Sequence, residues 1–232
     1  MSSGVVTRPK EIHNGIYLVG SSDMTDTKDC CVYLLNLGEL VLIDAGAGSS
    51  AGAIVRNIES LGFDAALVST IVLTHCHIDH VGGAAAIKDR TGARIIMHEL
   101  DAVPVENGDQ RMTAAHWYGV RFQPLPVDLT FSGHSETLSV GGRNLVLLHT
   151  PGHTPGSLSV YCDTDGKRVL FGQDIHGPFL ADFGANMSHW QRSMEELLAL
   201  NADILCEGHF GIYQPNKKVT AYIERYLEEY GE

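Results

Sequence analysis

The sequence predicts an α/β fold in which a mixed sheet, or two packed sheets, is flanked by helices. Three observations point there. Short apolar, β-rich stretches bounded by Gly, Asp, Asn or Pro recur along the chain; helical patterns lie between several of them; and the early stretches form hairpins while the later ones alternate with helices. The strand-like stretches cover 16–19, 31–37, 40–43, 70–73, 93–97, 144–148, 158–162 and 169–171, and 203–206 reads the same way. Over 50–61, Ile54, Val55, Ile58 and Leu61 share one helical face. The segment 83–90 is small and Ala-rich, and helices are predicted over 190–200 and 218–230, with Ser188 and Asn216 as cap candidates. The segment 99–138 fits the alternation poorly. It holds Pro104, Pro124 and Pro126 around His116, Trp117, Tyr118 and Phe122, and reads as an ordered insertion whose aromatics, Tyr118 and Phe122 among them, could wall a pocket.

Length and composition narrow the function. With 232 residues and 44% hydrophobic content, one globular domain spanning 1–232 is expected. No apolar run reaches the roughly 18–20 residues of a membrane helix, and the N-terminal MSSGVVTRPKEIHNG lacks the apolar core of a signal peptide, so a soluble, cytoplasmic protein with no membrane partner is expected. The net charge of −12 and the scattered Lys and Arg argue against nucleic acid. The five cysteines have no C-x-x-C spacing and read as reduced thiols. Twelve histidines, against 16 Lys and Arg together, point instead to metal.

The stretch Thr74-His-Cys-His-Ile-Asp-His80 directly follows an apolar strand. In an extended loop, residues two apart project to one side, so His75 and His77 can grip one ion while Asp79 and His80 turn to a neighbouring point. Chance would give roughly 0.002 such patterns in a chain of this composition. By the same alternation Cys76 points away and reads as a packing residue. Downstream, His153 sits in a Pro-Gly turn, Asp174 closes the strand-like VLFGQD, and His209 follows 203–206. Five His and two Asp at strand ends suit two metals with a carboxylate between them.

With these motifs in this order, H-x-H-x-D-H, G-H-T-P-G, the strand-end Asp and the late G-H, the chain resembles the metallo-β-lactamase superfamily from Leu42-Ile-Asp44-Ala-Gly46 to His209. The resemblance implies a four-layer αβ/βα sandwich of two mixed sheets flanked by helices, with the active site along one edge. It assigns His75, His77 and His153 to a first metal, Asp79, His80 and His209 to a second, and Asp174 to the bridge. Asp44 becomes a residue that orients the first His cluster. The implied cofactors are two divalent transition metal ions, Zn first, with Fe or Mn as alternatives.

The implied chemistry is attack by a metal-activated hydroxide on the carbonyl of a small ester, thioester or lactone, with Asp79 orienting the nucleophile. The secreted antibiotic-hydrolysing branch carries a signal peptide and lacks the bridging carboxylate, and the flavodiiron and RNA-processing branches need extra modules. Glyoxalase II shares the seven ligands but has a longer, basic C-terminal region. A mononuclear iron persulfide dioxygenase-like oxygenase is the alternative enzyme, and a small-molecule-binding regulatory protein the alternative without turnover. His176 and Phe179 join Tyr118 and Phe122 as candidate substrate contacts, and Phe183 and Trp190 could complete an apolar mouth. The expected partner is a small molecule bearing an apolar group; a homodimer is left open.

Overall fold

The computed structural model describes residues 7–231, so the first six residues of the N-terminal stretch read above lie outside the described residues. Two mixed sheets follow one another along the chain. The first contains β1 (Lys10–His13), β2 (Ile16–Gly20), β3 (Val32–Asn36), β4 (Leu40–Ile43), β5 (Val68–Val72), β6 (Arg94–His98) and β7 (Leu129–Phe131), in that spatial order. The second contains β8 (Ser135–Val140), β9 (Arg143–His149), β10 (Leu158–Thr164), β11 (Lys167–Gln173), β12 (Ile204–Glu207) and β13 (Ile212–Tyr213), with strand order running from β13 back to β8. Hairpins join β1 to β4, and helical crossovers make β4 to β7 parallel. In the second sheet only β11 and β12 are parallel.

Apolar residues on both faces of the central strands produce the layering. In β3, Val32 and Leu34 join one core with α1 (Ala51–Ser60) and α3 (Ala84–Thr91), while Tyr33 and Leu35 join a second core between the sheets. Strand β4 divides its residues in the same way, which is why it reads as an unbroken apolar run. A third core lies between the second sheet and α5 (Met187–Ala199) and α6 (Asn216–Tyr230). The layers are therefore helix, sheet, sheet, helix, as expected. All five cysteines are buried and unbonded, and among the described residues no helix is long and apolar enough to cross a membrane.

Several sequence expectations are corrected. The segment 99–138 is not one insertion: it contributes α4 (Glu99–Asn107) to the outer helical layer, β7 to the first sheet and the start of β8 to the second. Pro104 lies inside α4, and β7 is only three residues long, so local composition masks both. Helix α5 is capped by Asn186, whose Oδ1 accepts the His189 N–H at 3.0 Å, and not by Ser188. Asn216 is the first residue of α6 and follows Pro215.

The sheets meet at the edge where the motif residues gather. The Leu158 N–H donates to the Thr74 carbonyl at 2.9 Å, and the Cys31 N–H to the Gly208 carbonyl at 2.6 Å, so backbone bonds tie the two halves beside the histidines. The loop after β4 packs under α3 at Gly83, where a Cβ would stand 2.0 Å from the Ala45 carbonyl oxygen. Gly83→Ala is expected to destabilise the protein by about 1–3 kcal/mol, since neither backbone can yield without disturbing the loop of Asp44. Urea unfolding tests this; an unchanged midpoint would show that the contact is relaxed at no cost.

Candidate metal centre

The motif loop begins where β5 ends, and Asp44 at the end of β4 fixes its start. The Asp44 backbone is left-handed, at φ 62°. Its Oδ1 accepts the Thr74 N–H at 2.8 Å, and its Oδ2 meets the Thr74 hydroxyl and His80 Nδ1, each at 2.8 Å. His80 Nδ1–H therefore points to a carboxylate and its Nε2 to the site. His77 is the N-cap residue of α2 (Ile78–Val81), whose short turn carries Asp79 and His80. The other half comes from the second sheet: His153 from the turn after β9, Asp174 from the end of β11 and His209 from the β12–β13 connection. The positive φ of Gln173, 46°, turns the chain just before Asp174.

Two groups result, and they share Asp174: His75, His77, His153 and Asp174, and Asp79, His80, Asp174 and His209. In the first, His77 Nδ1 lies 3.1 Å from His75 Nε2 and 2.9 Å from His153 Nε2. Ligand atoms about 2.0–2.1 Å from a tetrahedral zinc lie about 3.3 Å apart, so this spacing fits an ion among them. Asp174 Oδ2 stands 4.0 Å from His75 Nε2 and 3.7 Å from His153 Nε2. In the second group, His80 Nε2 is 3.2 Å from Asp174 Oδ1, and His209 Nε2 is 3.2 Å from Asp79 Oδ2 and 3.3 Å from Asp174 Oδ2. His80 Nε2 and Asp174 Oδ1 are buried without a hydrogen-bond partner. Orphaned atoms in a set of imidazoles and carboxylates are what divalent ions would satisfy.

Burial sets the charge states of the metal-free groups. It drives His75 well below its usual range, His77 down to about 4 and His153 down to about 3, with neighbouring imidazoles adding to the effect at His75 and His153. Burial would depress His80 and His209 as well, but is outweighed. Cys30, Asp174 and Asp44 hold His80 well above the usual range, and Asp174 and Asp79 push His209 up to about 10. The first group thus offers free nitrogen lone pairs, whereas the second holds protons between its His and Asp members.

A cavity of about 310 Å³ opens over both groups, with Tyr118, Trp117, Phe183, Phe210 and His176 in its walls. Tyr118 and His176 thus lie where a substrate contact would, and the Trp117 and Phe183 rings sit 5.0 Å apart. Three aromatic candidates are elsewhere. Phe122 is buried in the core under α4, Phe179 packs between Trp190 and Tyr230, and Trp190 is itself buried with its indole N–H on the Ile175 carbonyl. Cys76 is buried in the first core, and His149 braces the His153 turn through the Pro155 carbonyl, 2.9 Å away, as its place before that turn suggests.

Two fully buried carboxylates escaped the sequence reading. Glu207 accepts the His209 and Phe210 N–H groups at 2.6 and 2.7 Å and meets His176 Nδ1 at 2.5 Å. Asp101 bonds the backbone of the motif loop. For Glu207 a signal existed: an acid directly after an apolar strand and two residues before a histidine. Asp101 had none, being one of many acids in a polar segment.

This chain belongs to the metallo-beta-lactamase superfamily, whose family model matches residues 28–209. It is 28% identical to a probable metallo-hydrolase, YflN, of Bacillus subtilis over 73% of this chain and 74% of that protein. It is 29% identical to the hydroxyacylglutathione hydrolase GloC of Haemophilus influenzae over 72% and 78%. Among solved structures, a metallo-beta-lactamase of Cronobacter sakazakii superposes with a TM-score of 0.81 at 26% identity, covering 96% of this chain and 92% of that one.

The charge states predict a pH optimum of stability for the metal-free protein. His77 and His153, depressed to about 4 and about 3, refuse protons that the unfolded chain accepts below about 6.5, so stability falls as pH falls through that window. His209, raised to about 10, and His80 keep protons that the unfolded chain releases above about 6.5, so the stability they contribute is lost as pH rises towards 10. Chelator-treated protein should melt highest near pH 6–7; a melting temperature rising steadily from pH 5 to 9 would contradict these charge states.

Proposed function

We propose that this chain is a dinuclear metal-dependent hydrolase acting on the carbonyl of a small ester, thioester or lactone that carries an apolar group. One observation supports it above the rest: two His and Asp groups share the carboxylate of Asp174 on the floor of an aromatic-walled cavity. His75, His77 and His153 would hold one ion, Asp79, His80 and His209 the other, and Asp174 would touch both. Bound there, two divalent ions lower the pKa of water and polarise a carbonyl oxygen.

The protein's own groups do the rest. Asp79 lines the cavity and can accept a hydrogen bond from the attacking water, turning its lone pair towards the substrate. Asp44, through His80, and the Pro178 carbonyl, 3.0 Å from His153 Nδ1, hold the imidazoles in the tautomer that faces the site. Trp117, Phe183 and Phe210 exclude water from one side of the acyl group. The relation to a hydroxyacylglutathione hydrolase favours an acyl transfer to water.

The cavity also bears on the substrate's charge. Among the described residues no Lys or Arg lines it. Lys28, nearby, donates to the Tyr118 carbonyl at 3.0 Å, and Lys10 lines a separate cavity that shares only His209 and Phe210 with this one. A neutral acyl group suits such walls better than the carboxylate of a β-lactam or the charged arms of glutathione.

Metal analysis of the purified protein should find about two equivalents of Zn, Fe or Mn per chain, and His77→Ala or Asp174→Ala should remove metal and esterase activity together. A single iron with oxygen uptake on a persulfide would replace this reading by the oxygenase. On a panel of p-nitrophenyl esters, acyl thioesters, lactones and a β-lactam, the neutral apolar members should turn over fastest. Trp117→Ala should raise KM for them about tenfold with kcat little changed. A panel answered only by the β-lactam would overturn the substrate class.

A further inference from the structure

The first His group takes its members from two sheets. His75 and His77 follow β5 of the first, and His153 follows β9 of the second. The loops that carry them are far apart in the chain, so their spacing depends on whatever bridges them. The carboxylate of Asp101, in the first turn of α4, lies between the two loops and is 0% exposed. Its Oδ2 accepts the Cys76 N–H at 2.9 Å and the Thr154 hydroxyl at 2.7 Å, and its Oδ1 accepts the Gly156 N–H at 2.6 Å. Cys76 stands between His75 and His77, and Thr154 directly follows His153.

The neighbouring chain is shaped for this contact. At Gly156 a Cβ would lie 2.5 Å from the Asp101 nitrogen and 2.6 Å from its Oδ1, so only glycine lets the carboxylate close on that turn. Ser157 stiffens the same turn, its Oγ accepting the Thr154 N–H at 3.0 Å and meeting the Thr154 hydroxyl at 2.6 Å. Bonds from N–H and O–H donors to a carboxylate are short and directional, which suits a spacer between two backbones.

We propose that Asp101 is the positioning residue of the first His group: a clasp between the two loops that sets the distance from His75 and His77 to His153, and so tunes metal affinity at that group alone. The inference rests on the metal reading given above and deepens it. The second group's own residues, Asp79, His80 and His209, make no hydrogen bond to Asp101.

Cobalt(II) titration of the metal-free protein, followed by visible absorption, tests it on the wild type, Asp101→Asn and Thr154→Val. Asn keeps the size but offers an NH2 where one of three donors must be received, and Val removes the Thr154 tie while keeping its shape. The wild type should take two equivalents. In Asp101→Asn one equivalent should bind about 10–100-fold more weakly with an altered spectrum, the other being unchanged, and Thr154→Val should show a smaller loss at the same equivalent. Where Asp101→Asn fails to fold, Thr154→Val decides alone. Wild-type titration curves in the variants, or equal weakening of both equivalents as general loosening would produce, overturn the clasp alone. A wild type that takes up no cobalt overturns the metal reading and the clasp with it.

Discussion

The arrangement of the site depends on the parallel pairing of β4 with β5 and on the carboxylate that ends β4. With Ile43 opposite Val72, Asp44 falls beside Thr74, and its left-handed backbone turns the carboxylate across the end of the next strand. One side chain thereby fixes both the start of the motif loop, through Thr74, and its end, through His80. Had the register slipped by one residue, the carboxylate would face the opposite side of the sheet and the loop would lose its anchor. The close fit of Gly83 under the Asp44 loop belongs to the same constraint, because it leaves that loop little freedom to move.

Such an anchor is needed because the groups gathered at the edge do not attract one another in a simple way. His75, His77 and His153 are buried in contact, and each would repel the others if protonated. Around Asp174 the opposite holds, with carboxylates and protonated imidazoles holding one another. The metal-free site therefore combines a neutral half with an ionic half. Its polar atoms are left partly unsatisfied, a cost that the sandwich sustains because three apolar cores surround it.

Much of this was legible in the sequence. The strand and helix pattern was readable because central strands buried on both faces make apolar runs and α1 shows a clear 3.6-residue face. The seven His and Asp residues stood out because their spacing on strand ends is rare by chance, and they do converge. What could not be read was set by contacts distant in sequence. Strand β7 is too short to have a period, and α4 contains a proline that its packing against β6 and β7 tolerates. Phe122 and Phe179 looked like cavity residues because aromatics near a motif can serve a pocket or a core equally well. Asp101 has partners 25, 53 and 55 residues away.

Each half of the chain builds one sheet, residues 10–131 the first and 135–213 the second. The edge cluster divides along the same boundary: His75, His77, Asp79 and His80 belong to the earlier half, His153, Asp174 and His209 to the later. The earlier half alone carries four of the seven groups. The other three reach them across the core that the two sheets share. The geometry of the cluster is thus a property of the docked pair of sheets and of neither sheet alone.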